Sequence, residues 1–135
     1  MLYLGTETNK MNKIINTPDA PTVIGPYSQA ILSGNTLYCS GLIAINPVTG
    51  NLVTDNISAE TNQVMKNILA VLKAAEMNFE NVVKCSIFMK DMNDYGAIDE
   101  VYAKSFSNNT PAREAVQVSV LPKNVNIEIT VIAVK

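Results

Sequence analysis

"PAREAVQVSVLPKNVNIEITVIAV", residues 111–134, contains two alternating apolar runs with a turn between them. Successive side chains of a strand point to opposite faces. Val116, Val118 and Val120 therefore share one face, and Arg113, Ala115, Gln117 and Ser119 the other. In the second run Val125, Ile127, Ile129 and Val131 oppose Asn126, Glu128 and Thr130. The pattern predicts strands over 113–120 and 125–134, joined as a hairpin by "LPKN". With the valine face under helices, Arg113 and Glu128 are expected to project from the same polar face. The hairpin would set Glu128 beside Gln117, roughly 13 Å from Arg113 at a strand rise of about 3.3 Å per residue. The pair need not touch within one chain. A face of this kind suits self-association, in which neighbouring copies complete a site.

Upstream, "VVKCSIFMKD" (82–91) has the length and β-branched content of a buried strand, and Tyr95, Ile98, Val101, Tyr102 and Phe106 continue at helical spacing. Val64, Met65, Ile68, Leu69, Leu72 and Ala75 form one stripe of a longer helix, with Ser58 as the expected N-cap and Glu60 near the positive end of its dipole. Ser28–Leu32 and Thr36–Ser40 read as a hairpin about Gly34-Asn35, and "NPVTGN" (46–51) as a further turn. Residues 1–11 are polar and aperiodic, an extension of the kind that stays disordered, and Met11 is an alternative start. Residues 12–135 read as a single domain.

Composition removes several function classes. The chain has 135 residues, net charge −2, no histidine, and Arg113 as its sole arginine. Without histidine, Ser-His-Asp and Cys-His catalysis and most zinc chemistry are closed. Acidity and one arginine argue against binding a polyphosphate backbone, and no apolar run approaches the roughly 20 residues of a membrane span. Cys39 and Cys85 have no paired spacing, so reduced core thiols, no metal site and a cytoplasmic location are expected.

Among side chains able to do chemistry, Arg113 can grip a carboxylate through two parallel charge-assisted bonds or form a surface ion pair with Glu114 or another acid. Glu128, between Ile127 and Ile129, can orient or deprotonate a water, or simply occupy a wet strand face. Tyr27 and Ser28 of "GPYSQA" can hold a polar ligand or close a turn, and the glycine of "CSGL" (39–42) admits close backbone approach or relieves a bulge. In "KDMNDY" (90–95) an acidic or amide side chain is expected to cap the following helix.

In this order, "GPYSQA", "SGLIAINPVTGNLV", "VVKCSIFMKDMNDY" and above all "PAREAVQVSVLPKNVNIEI" resemble the Rid family of reactive intermediate deaminases, also called the YjgF family, over almost everything after Met11. The resemblance implies an α+β, chorismate mutase-like fold: a mixed six-stranded sheet packed on one face by two helices. It also implies a homotrimer with ligand clefts between subunits. The implied activity is hydrolysis of 2-imino acids, such as 2-iminopropanoate and 2-iminobutanoate, to 2-oxo acids and ammonia, with no cofactor. Arg113 would bind the substrate carboxylate and Glu128 position the attacking water. Tyr27, Ser40, Gly41, Asn93 and the backbone at Ala115 would surround the ligand.

The chain departs from the family's commonest pattern at Glu114 and Ala115, where Ser and Cys often follow "PAR", and at Leu42, where Gln often follows "SG". Either the thiol is dispensable or the activity is altered. Alternation sends Glu114 away from Arg113, so its carboxylate is expected to leave toward an edge. The competing reading is a regulatory trimer that binds 2-oxo acids without turnover.

Overall fold

Asn56, not Ser58, starts the long helix. In the computed structural model, which describes residues 12–135, the Asn56 side chain accepts from the Ala59 N–H at 2.8 Å at the head of α1 (Ile57–Ala74). Asn56 is the last residue with extended backbone (φ −157°, ψ 166°), the conformation in which a side-chain oxygen reaches the free N–H groups of the first turn; Ser58 already lies inside that turn. The expectation for residues 1–11 lies outside the described residues.

The buried face of α1 carries Val64, Met65, Ile68, Val71 and Leu72, but also Glu60, Thr61 and Asn67. Leu69, expected on that face, is only half-buried, and Val71 takes the central position. The second helix, α2 (Tyr95–Ala103), is entered through a short turn capped by Asp91, whose side chain accepts from the Asn93 N–H at 2.9 Å. It stops at Ala103, and Phe106 packs on Tyr102 and Phe79 from the turn beyond.

Six strands complete the layer: β1 (Asn12–Ile15), β2 (Ala30–Ser33), β3 (Thr36–Cys39), β4 (Val82–Met89), β5 (Ala112–Gln117) and β6 (Ile127–Val134), in the order β1-β2-β3-β6-β4-β5. The turn at Gly34-Asn35 forms as expected, with Gly34 at φ 61° and Ser33 opposite Thr36. The segment 46–51 closes on itself through Gly50 N–H to Asn46 O and Asn46 N–H to Asn51 O, both 2.8 Å, with Gly50 at φ 77°.

The hairpin expected about "LPKN" does not form. β4 lies between β5 and β6, parallel to the first and antiparallel to the second. β4 and β5 are joined through α2, a crossover that returns the chain in the same direction, so β5 takes the outer edge. This changes which residues share a face. Phe88 of β4 pairs with both Glu128 and Val116, so Glu128 sides with Val116 and Glu114, whereas a hairpin would have matched it to Gln117 and Arg113. A one-residue difference in register exchanges the faces.

Cys85, Ile87 and Met89 are buried beneath the helices, and their β5 partners Arg113, Ala115 and Gln117 lie on that same helix-covered side. The valines are on the open side, Val116 being 41% exposed; Val120, beyond the strand, is 65% exposed. The expectation that Arg113 and Glu128 project together is thus corrected: they leave the sheet by opposite faces. A bulge between Val82 and Lys84 brings Val82 onto the core face although its parity differs from that of Cys85.

Glu60 joins the two layers. Fully buried, its carboxylate accepts from the backbone N–H groups of Asn126 (2.8 Å) and Ile127 (3.2 Å) and from Asn126 Nδ2 (2.8 Å), at the point where β6 begins. Removing it strands two backbone donors beside a cavity. Glu60→Ala is expected to cost about 3 kcal/mol of unfolding free energy, since each unsatisfied buried donor costs about 1–3 kcal/mol; urea titration of both proteins measures the difference.

Candidate active site

Where β3 gives out, β6 acquires a new neighbour. Tyr38 pairs with Ile132, but the next pairing is Leu42 with Ile129, so Cys39, Ser40 and Gly41 face only Thr130 and Val131. This is a bulge: the Thr130 hydroxyl donates to Cys39 O at 2.6 Å across the break, and Leu42 exchanges backbone bonds of 2.8 and 3.1 Å with Ile129 beyond it. The extra residue turns Leu42 and Ala44 into the core although Leu37 and Cys39 have the other parity.

A cavity of about 560 Å³ opens beside this break, lined by Tyr27, Ser40, Gly41 and Glu128, with Ile24, Leu42, Ile45 and Lys123 among its other walls. Much of the lining is irregular chain held by buried amides. Gln29 accepts from Thr17 N–H (2.7 Å) and donates to Thr17 O (3.0 Å) and Pro21 O (2.9 Å). Asn67 of α1 donates to Ile43 O (3.0 Å) and Ile45 O (2.9 Å). With Glu60 at the head of β6, these side chains supply backbone partners that a regular sheet would otherwise provide.

Glu128 reaches across Gly41. A Cβ on that glycine would run into the carboxylate, lying 2.8 Å from its Cδ, so glycine is required by close approach rather than by backbone conformation. Burial, with no hydrogen-bond or charge partner offsetting it among the described residues, pushes the Glu128 carboxyl above the ordinary carboxylate range. A raised pKa makes the carboxylate a stronger proton acceptor than an ordinary one. The Ser40 hydroxyl donates to Ser28 O at 2.6 Å and its N–H to Gln29 O at 2.9 Å, so Ser40 chiefly offers lone pairs to the cavity. Tyr27 is half exposed at the rim.

The remaining expected residues stand elsewhere. Asn93 is exposed on the turn before α2, and Ala115 packs against the core from the middle of β5. Arg113 rests on α2: Nη1 meets Asp99 Oδ1 at 2.5 Å, Nη2 donates to the Tyr95 hydroxyl at 2.6 Å, and the guanidinium carbon sits 4.9 Å from the Tyr102 ring centre. From Glu128 it is two strands over and three residues along, roughly 14 Å at about 4.8 Å per strand and about 3.3 Å per residue, and on the other face. Glu114 pairs with Lys84 Nζ at 2.9 Å and accepts from the Ser86 hydroxyl on the open side, so it does not compete for Arg113, as alternation led us to expect. Burial, then the neighbouring Cys85, pushes the Cys39 thiol up to about 12, and burial also raises Cys85; both are free and protonated. Among the described residues no cluster of acidic or sulfur side chains is arranged to hold a metal ion, and no helix is long and apolar enough to cross a membrane.

Apolar periodicity had no means of finding Glu60, Gln29 and Asn67, because each is a polar residue at a buried position. Asp99 could have been noticed: with Tyr95 and Tyr102 it falls at i, i+4 and i+7 on one helix face.

This fold agrees with known proteins. The family model described as Endoribonuclease L-PSP matches residues 17–135. The chain is 46% identical over 125 residues to 2-iminobutanoate/2-iminopropanoate deaminase of Rattus norvegicus, covering 93% of this chain and 91% of the rat protein. It is 50% identical over 121 residues to a candidate regulator, AldR, of Lactococcus lactis, covering 90% and 96%. A crystal structure of a conserved Rid-family protein of unknown function from Yersinia pestis superimposes with a TM-score of 0.90 at 46% identity, covering 92% of this chain and 99% of that one. The chain belongs to the YjgF/Rid family. Its relatives' names include deaminase, regulator and endoribonuclease.

The raised carboxyl of Glu128 has a consequence for stability. Its ionisation penalises the folded state above the folded-state pKa; that penalty shrinks as pH falls and vanishes once the unfolded chain, titrating near about 4.3, is protonated too. Glu128→Gln is therefore expected to raise the melting temperature at pH 7, with the gain disappearing toward pH 4, as measured by thermal melts across that range.

Proposed function

We propose that the protein hydrolyses 2-imino acids, 2-iminopropanoate and 2-iminobutanoate among them, to 2-oxo acids and ammonia. The observation that carries this reading is the Glu128 carboxylate, half-buried, lying over Gly41 in the cavity and held above its ordinary pKa by burial. A protonated imine carbon is already electrophilic, so the site needs to orient the substrate, hold one water and move protons. Glu128 takes a proton from the water as its oxygen attacks C2, giving a carbinolamine. The proton then passes to nitrogen and the C–N bond breaks; as the carbonyl forms, Glu128 takes the remaining hydroxyl proton and hands it to the departing ammonia, which leaves as ammonium. Glu128 returns to its starting state. This route requires neither histidine nor a cofactor.

Arg113 supplies the carboxylate clamp in this reading, from a neighbouring copy. Within one chain it and Glu128 leave opposite faces of the sheet, so a shared site needs a second molecule. The open face of the sheet supports association: Ile14, Tyr38, Val116 and Val134 are exposed there, with Ile31 and Ile132 half-buried beside them. We take the assembly to be a homotrimer with the cavity between subunits, working in the cytoplasm on small molecules and not on nucleic acid. A net charge of −2 with a single arginine argues against a polyphosphate substrate.

Pyruvate release from enzymatically generated 2-iminopropanoate tests the activity, and no acceleration over buffer would remove it. Arg113→Lys is expected to keep the fold and lose about 10- to 100-fold in kcat/KM, because a point charge cannot reproduce two parallel bonds. Gly41→Ala must displace the Glu128 carboxylate; the expected result is a folded protein whose kcat falls by about 100-fold or more. Calorimetry with 2-oxobutanoate completes the comparison, since binding without turnover selects the regulatory reading.

A further inference from the structure

Arg113 is more tightly held than a surface ion pair requires. α2 presents Tyr95, Asp99 and Tyr102 on one face, and all three meet the guanidinium. Asp99 Oδ1 lies 2.5 Å from Nη1, and the Tyr95 hydroxyl accepts from Nη2 at 2.6 Å. The ring centres of Tyr102 and Tyr95 lie 4.9 and 5.6 Å from the guanidinium carbon. Burial raises the pKa of the Tyr102 hydroxyl, so it meets the cation as a neutral ring. A guanidinium carries five N–H donors. One bond from each terminal nitrogen fixes its plane and leaves the remaining donors for a ligand.

We propose that Asp99 sets the strength with which Arg113 holds carboxylate ligands, acting as a built-in counter-charge that orients the guanidinium and also weakens its attraction for a second anion. The inference rests on the reading of Arg113 as the carboxylate clamp. Tyr95 and Asp99 are positioning residues with separable effects. The tyrosine hydroxyl contributes orientation alone; the aspartate contributes orientation and a negative charge. A ligand carboxylate on the free edge of the guanidinium stands within a few ångströms of the Asp99 carboxylate, and two like charges at that distance repel measurably even near the surface. A site that takes in an anionic imino acid and must release an anionic 2-oxo acid gains from such weakening, because turnover is limited when product is held too tightly.

The test is calorimetric titration of the whole protein with 2-oxobutanoate, comparing wild type, Asp99→Asn and Tyr95→Phe, with thermal melts of each. Asp99→Asn keeps an oxygen acceptor for Nη1 and removes the charge. Its expected Kd is about 3- to 10-fold lower than wild type with a steeper dependence on salt, while its melting temperature falls because an ion pair is lost. Tyr95→Phe is expected to raise Kd about 2- to 5-fold at unchanged salt slope, since one neutral bond is removed. Tighter binding in a less stable protein is a result that a purely structural Asp99 would not give. Unchanged or weaker binding in Asp99→Asn overturns the proposal while leaving the Arg113 clamp intact. Wild type that binds no 2-oxobutanoate removes the clamp reading, and this inference with it.

Discussion

The carboxylate of Glu60 fixes where β6 begins. It is fully buried and spends both oxygens on the backbone and side chain of Asn126 and the backbone of Ile127. A buried charge is tolerated only when hydrogen bonds replace its hydration, and here the donors belong to the strand that carries the functional glutamate. The start of β6 sets the register of Ile127 against Met89 and of Glu128 against Phe88, and that register decides which face each side chain takes. The same strand must also accept Leu42 across the break in β3. Both the cavity and the direction in which Glu128 points therefore depend on an interaction made from the first turn of α1.

The cavity exists because pairing along β6 is interrupted and the irregular chain beside it is satisfied by other means. Gln29 and Asn67 do for the neighbouring segments what Glu60 does for β6. Buried amides are costly unless every donor and acceptor finds a partner, and these fix one arrangement of loops that apolar packing alone would leave loose. Into that frame Gly41 admits the Glu128 carboxylate without room for a methyl group. The same burial that costs folding free energy when Glu128 ionises makes it a better proton acceptor, a trade between stability and function of a familiar kind.

Charge is sorted by the sheet. Glu114 is absorbed by Lys84 and Ser86 on the open side, while Arg113 is held by Asp99 and the tyrosines of α2 on the covered side. Adjacent residues of one strand thus serve separate surroundings, and the acid next to the sole arginine does not neutralise it. Family membership is shown by the match over residues 17–135, and the relatives carry names of differing roles on one scaffold.

The sequence by itself determined the family and, through that resemblance, the mixed sheet with two helices, because ordered motifs carry both; the turns at Gly34-Asn35 and 46–51 and the division of β6 into core and polar residues follow from turn chemistry and local periodicity. It also sent Glu114 away from Arg113, since neighbours on a strand must diverge. Only the tertiary structure decided that β4 enters between β5 and β6, that the valine face is the open one, and that Arg113 and Glu128 part company. Alternation assigns residues to two faces but cannot say which face meets the helices, and a single residue of register reverses the answer. Glu60, Gln29 and Asn67 were equally hidden. Their burial is paid for by backbone groups distant in sequence, and nothing local marks a polar residue whose partners arrive from another part of the chain.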